Sequence, residues 1–150
     1  MKELQPDGNR QREQEGKDMI STRGRYALRV MIDLAEHEDG HPVSMSKIAE
    51  RQEISRKYLE IIGKDLVTAG MIRGISGKGG GYLLCRKPSE YTVGEIIETM
   101  EGTLAPVACL ECGAKKCLRE ENCKTLPMWK DFHTMIHDFF YSKTLSDLIG

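Results

Sequence analysis

The stretch that decides the fold is Ser44–Ile72, SMSKIAERQEISRKYLEIIGKDLVTAGMI, followed directly by RGISGKGGGYLLCR over Arg73–Arg86. Ser44 can cap a short helix with Met45, Ile48 and Ala49 inward. Ser55 can cap a second helix whose apolar side holds Tyr58, Leu59, Ile62, Leu66 and Val67. Only Gln52-Glu53-Ile54 separates the two. The second helix should end at Ala69-Gly70, where glycine accepts the left-handed backbone of a C-cap. Met71-Ile72 and Gly81-Tyr82-Leu83-Leu84 then read as short strands joined by the glycine-rich turn 73–80. Two helices with so short a turn, then a hairpin, predict a winged helix-turn-helix. A phosphate-cradling loop would follow a strand and open a helix, whereas these glycines lead into a strand.

Upstream, Tyr26, Ala27, Val30, Met31, Leu34 and Ala35 recur at helical spacing behind Ser21 or Thr22 as cap, and Asp39-Gly40 stops that helix. Downstream, Thr92 and Glu95 form a capping-box pattern for a helix over Val93–Met100. Residues 101–126 have no period, and Pro127 suits the first turn of a long last helix. That helix crowds Met128, Trp129, Phe132, Met135, Ile136, Phe139 and Phe140, more than one apolar stripe holds. One side is expected to meet the domain and the other a partner helix across a two-fold axis. The expected fold is mainly α: a winged helix-turn-helix with a small β-hairpin wing and a long C-terminal dimerisation helix. The divisions are a leader over 1–18, a DNA-binding domain over 19–100, a cysteine-rich loop over 101–126, and the dimerisation helix with the C-terminal segment over 127–150.

The chain has 150 residues, with 22 Lys and Arg against 23 Asp and Glu. This near-neutral total conceals asymmetry. Residues 19–87 carry 12 basic and 8 acidic side chains, whereas 88–150 carry 6 and 10. Residues 54–87 alone hold 7 basic and 2 acidic, which suits a polyanion at the helix-turn-helix and wing. Residues 1–18 hold Leu4 as the one aliphatic side chain after the initiator, and are read as a disordered leader. They offer no apolar stretch for a signal peptide, and no apolar run approaches the ~18 residues of a membrane span. The expectation is a cytoplasmic protein with no membrane partner.

The geometry of the motif assigns candidate contacts. A second helix presents its N-terminal residues to base edges, here Ser55, Arg56 and Lys57, with Tyr58 at the edge. Arg and Lys can donate to guanine O6 and N7 or hold phosphate. At the hairpin tip, Lys78 stands beside Gly79, Gly80 and Gly81, whose bare backbone can approach a phosphate closely.

Cys109, Cys112, Cys117 and Cys123 follow Cys-x2-Cys-x4-Cys-x5-Cys spacing in an aperiodic segment. Disulfides do not suit a reducing compartment. Thiolates on a flexible loop suit an iron–sulfur cluster, and Lys115, Lys116, Arg119 and Lys124 offset its negative charge. Zinc and an oxidisable thiol switch are the alternatives. Cys85, on the second strand, reads as a buried small hydrophobe. His133 and His137 have chelating i,i+4 spacing, which also arises on an ordinary exposed face. No acid–base constellation or dinucleotide fingerprint supports an enzyme.

STRGRYALRVMIDLA, the helix-turn-helix segment, the wing, YTVGEIIETMEGTLAPVACL and TLPMWKDFHTMIHDFFYSKTLSDLI together resemble the IscR/NsrR-type regulators, the Rrf-two family of bacterial winged-helix transcription factors. The resemblance spans residues 19–149, and its most specific parts are Tyr58-Leu59-Glu60 and the wing residues Lys78 to Tyr82. It implies a homodimer on a near-palindromic double-stranded operator, commonly with an iron–sulfur cluster controlling binding. It adds Glu60 as a residue that helps set base preference. The candidate DNA-contacting set is therefore Ser55, Arg56, Lys57, Tyr58, Glu60, Lys78, Gly79, Gly80 and Tyr82. The family's ligand pattern, with five residues between the last two cysteines, falls on Cys117 and Cys123. Cys109 is favoured as the first ligand because it follows the family-like Leu-Ala-Pro-Val-Ala run, leaving Cys112 as an alternative or fourth ligand. The family's histidine variant has its ligand three residues after the last cysteine, where this chain has Leu126. Both a 2Fe–2S and a 4Fe–4S cluster stay open. The expected function is a cluster-controlled repressor. The alternative is a cluster-free winged-helix regulator of cysteine or sulfur metabolism, acting through thiol oxidation or a protein partner.

Overall fold

Residues 18–150 are described by the computed structural model, so the leader reading falls outside the described residues except at Asp18. Helix α1 (Thr22–Glu36) starts on Ser21, whose side chain accepts the Gly24 N–H. Serines 44 and 55 likewise cap α2 (Met45–Gln52) and α3 (Arg56–Thr68), accepting the N–H groups of Lys47 and Tyr58. Each cap satisfies a backbone donor that has no partner within its helix. The turn between α2 and α3 is made by Glu53 in the left-handed conformation, φ 54°, the one non-glycine residue with positive φ among the described residues. Ile54 follows it into the core, and its N–H bonds back to the Ala49 carbonyl.

Strands β1 (Ile72–Ile75) and β2 (Gly81–Leu84) pair antiparallel, with Ile72 opposite Leu84 and Ile75 opposite Gly81. Strand β1 thus runs further into the glycine-rich segment than its composition suggests. Val43, just before α2, adds a bridge to Tyr82 through both of its backbone groups, at 2.8 and 3.0 Å. The hairpin is thereby tied to the start of the helix-turn-helix. At its base, the buried Tyr91 hydroxyl donates to the Met71 carbonyl at 2.5 Å and accepts the N–H groups of Cys85 and Arg86.

Helix α4 (Val93–Glu101) is capped by Thr92, which accepts the Glu95 N–H. The reciprocal half of the expected capping box is replaced: the Glu95 carboxylate accepts from Arg86 at 2.6 Å, joining α4 to the wing. Helix α5 (Leu126–Ser142) crosses α4, and the short α6 (Leu145–Ile149) returns against α1. Leu145 is fully buried in the main core with Val30, Met31, Ile48, Leu59, Ile62 and Leu66. A second small cluster joins Val93, Ile97 and Leu104 to Phe140 and Tyr141.

Two sequence expectations are corrected. Val67 is 40% exposed, because α3 buries only the face carrying Leu59, Ile62 and Leu66. Cys85 is exposed rather than buried: β2 ends at Leu84, and at the next residue only the backbone is engaged.

Candidate nucleic-acid interface and cysteine loop

Because the core takes Leu59, Ile62 and Leu66, the opposite flank of α3 faces outward with Ser55, Arg56, Lys57 and Glu60 exposed. Arg56 Nε donates to Glu60 Oε1 at 3.2 Å, one turn along. Both side chains are well exposed, so this pair adds little stability and is free to exchange for other partners. Tyr58 does not stand with them. It is half-buried, its ring edge-on to Tyr26 at 5.7 Å.

At the hairpin tip, Lys78 and Gly79 are exposed and Gly80 is half-buried. The glycines there meet requirements of the turn itself. Gly79 has φ 76°, and a Cβ at Gly80 would overlap the Ile75 carbonyl. Tyr82 is half-buried and packs on the core, with its ring near Gly63 and Gly74. The structure therefore brings Ser55, Arg56, Lys57 and Glu60 onto one exposed helix end and leaves Lys78 at the tip of the wing. It places Tyr58 and Tyr82 as supports behind those elements.

One buried structural network was not anticipated from the sequence. Asp33 is fully buried, yet its carboxylate accepts from Arg51 at 2.6 and 3.0 Å and from Gln52 at 3.0 Å. Arg29 adds bonds to the Gln52 side chain and carbonyl. This network fixes α2, and the turn after it, against α1. Burial opposes ionisation of Asp33, but the hydrogen bonds from Arg51 and Gln52 outweigh it and hold the carboxyl below its ordinary value. An acidic residue set among Val30, Met31 and Leu34 was the available signal.

The cysteine loop leaves α4 at Gly102 and includes two 3-10 turns, Ala108–Leu110 and Glu120–Asn122. Cys109, Cys117 and Cys123 line one open hollow of about 380 Å³, whose wall also carries Lys115, Lys116 and Lys130. Cys112 is exposed and is not part of that wall. Leu126, at the family's histidine position, presents an apolar side chain to the hollow. Thr125 Oγ1 lies 3.5 Å from Cys123 Sγ and lowers that thiol from its ordinary pKa. All five cysteines are free thiols. As the side chains stand, no group of three His, Cys, Asp or Glu among the described residues could hold a metal ion, so ligation requires the thiols to turn inward. Their chemistry fits a thiophilic centre, an iron–sulfur cluster or zinc: three thiols share one cavity wall with three ammonium groups, against the single carboxylate of Glu120. His133 and His137 do not converge on a site; His137 stacks on Tyr141 at 4.3 Å.

A family model for Rrf2, an iron-dependent transcriptional regulator, matches residues 20–150. The chain belongs to the Rrf2 family. Within Rrf2 it is 35% identical over 131 residues to the HTH-type transcriptional regulator IscR of Pectobacterium atrosepticum, covering 87% of this chain and 79% of that protein. The solved structure of CymR (YrzC), the global cysteine regulator of B. subtilis, matches with TM-score 0.70 and 34% identity over 87% of this chain and 95% of its own. That of T. potens IscR matches with TM-score 0.69 and 35% identity over 87% and 85%. The protein is thus a winged-helix transcription regulator of the Rrf2 family and not an enzyme. Among the described residues no helix is long and apolar enough to cross a membrane.

Proposed function

We propose that this Rrf2 protein is a homodimeric repressor whose operator affinity is set by an iron–sulfur cluster on Cys109, Cys117 and Cys123. The observation that carries the reading is that these three thiols, and not Cys112, line one hollow. When bound, the cluster would supply a centre responsive to electrons, oxygen, nitric oxide or iron supply. The protein's own part is to hold it by the three thiolates, with Lys115, Lys116 and Lys130 offsetting charge. The loop joins α4 to α5, so a change in its order can alter how two DNA-binding halves are spaced. A differential affinity of 1–3 kcal/mol between two such arrangements changes operator binding by roughly 5- to 150-fold.

The DNA-facing surface on this reading is Ser55, Arg56, Lys57 and Glu60 with Lys78, Gly79 and Gly80, backed by Tyr58 and Tyr82. The partner is a near-palindromic duplex read by two copies, in the cytoplasm.

Anaerobic purification with a visible spectrum and iron and sulfide assay tests the cofactor. Cys117→Ala should abolish the visible absorbance and lose iron while keeping helical content, and Cys112→Ala should retain both. Full iron in the Cys117 variant would remove the loop as the site. Iron loss with unmoved operator affinity would leave a cluster that is not the switch.

A second reading is supported by the likeness to a global cysteine regulator and by free, solvent-reaching loop thiols. It makes the chain a cluster-free regulator of cysteine or sulfur metabolism, responding by thiol oxidation or through a protein partner. An iron-free anaerobic preparation whose operator affinity changes with reversible thiol oxidation would favour it.

A further inference from the structure

Helix α3 exposes two large apolar side chains, Val67 in its last turn and Ile61 nearer the end that carries Ser55, Arg56 and Lys57. Ile61, the sixth residue of the helix, is 52% exposed. A β-branched residue is a weaker helix former than Lys, Glu or Ala, and an exposed one adds little core burial. Single exposed apolar residues are common on protein surfaces, so exposure alone means little. Its surroundings are what distinguish it. Lys57, Ile61 and Lys64 lie at i, i+4 and i+7 and so share one face, and all three are exposed. Glu60 and Arg56 flank that face with their exchangeable ion pair. Ile61 thus lies between two lysine positions, on the side of α3 opposite Leu59, Ile62 and Leu66.

The chemistry of such a site is restricted. When a helix enters a major groove, flanking lysines reach phosphate and the side chains between them face base edges. Isoleucine has no hydrogen-bonding atom, so it cannot read a donor or acceptor pattern. The one methyl group that base pairs present in the major groove, and the largest apolar feature there, is the C5-methyl of thymine. We infer that Ile61 is a specificity residue that reads a thymine methyl in each operator half-site, beside the polar contacts of Arg56 and Lys57. The inference rests on the DNA-facing assignment of α3 in the proposed function.

The test removes the methyl and nothing else. The full-length protein is first used to enrich a duplex from a random-core library, and that duplex is the probe. Each thymine is then replaced in turn by deoxyuridine, symmetrically in both half-sites, and affinity is measured at fixed salt for the wild type and Ile61→Ala. At one thymine position the wild type should lose about fourfold per half-site, about sixteenfold for both, as expected for one buried carbon each. Ile61→Ala should bind the thymine duplex with a loss at least as large and be insensitive to deoxyuridine at that position, while keeping its sensitivity elsewhere. Alanine is the better helix former at an exposed site, and circular dichroism checks the fold; Ile61→Val, with a partial loss, serves as the second variant. A wild type indifferent to every thymine-to-deoxyuridine change overturns the inference. So does an Ile61→Ala protein that keeps the wild-type sensitivity at every position. Arg56→Ala distinguishes the two levels: if it too binds the enriched duplex normally, the assignment of α3 as the reading helix fails, and the inference with it.

Discussion

At the scale of single residues, the buried carboxylate of Asp33 has the largest consequence. Arg51 is partly exposed, but Asp33 has no access to water, so losing the arginine removes its charge partner and two hydrogen bonds and leaves the buried carboxylate with Gln52 and the more distant His37 ring. Arg51→Ala should therefore cost about 3 kcal/mol, well above the ~0.5 kcal/mol of an ordinary surface pair. The same network fixes a pH dependence. The folded-state pKa of Asp33 is depressed, so its stabilisation is fully present above the unfolded value near 3.8 and is lost as pH falls through the folded one. Urea midpoints measured from pH 7 downward should fall in acid, and Asp33→Asn should be less stable at pH 7 with a flatter profile. A wild-type acid profile in the Asn variant would show that other carboxylates set it.

At the scale of elements, the seating of α5 on α4 turns on Gly94. A Cβ there would overlap the face of the Tyr141 ring, which is held by a hydrogen bond from its hydroxyl to Glu98. Burial, with that bond to Glu98, pushes the Tyr141 phenol up to about 12, so it stays a donor throughout the working range. In an isolated helix, glycine to alanine would stabilise by about 1 kcal/mol. Here the ring cannot retreat without unseating α5, so Gly94→Ala should instead destabilise by about 1–3 kcal/mol. Thermal unfolding of the single variant decides the sign. Gly24 is similarly confined: an added Cβ would press on the Glu101 carboxylate, which accepts from the Ser21 backbone N–H at 2.8 Å and its hydroxyl at 2.7 Å.

At the scale of the whole molecule, α5 places Ile136 in the protomer but leaves Met128, Met135 and Phe139 at 53, 62 and 57% exposure. On the proposed reading this second apolar face is half of an interface whose other half a second copy supplies. Phe139→Glu should leave the fold of each protomer intact, since that side chain contributes little to its core, and should yield monomers by light scattering with weakened operator binding. A dimer of wild-type size would assign the association to another surface.

The sequence by itself determined the elements. Ser44, Ser55 and Thr92 cap the helices they were expected to cap, Ser21 rather than Thr22 caps the first, and the glycine wing falls where the turn requires it. These features obey short-range rules: a hydroxyl meets an N–H three residues on, and a left-handed turn selects glycine. Where no such residue marked the turn, as at Glu53, only the folded chain showed the left-handed conformation. Tertiary structure alone decided which faces met. It exposed Val67 and Cys85, drew Leu145 back into the core beside Leu59, Ile62 and Leu66, and paired Asp33 with Arg51 across two helices. It also separated Cys112 from the three thiols that share a hollow. Spacing counts residues along the chain, whereas burial and convergence depend on contacts between segments far apart in it, and those exist only once the core has closed.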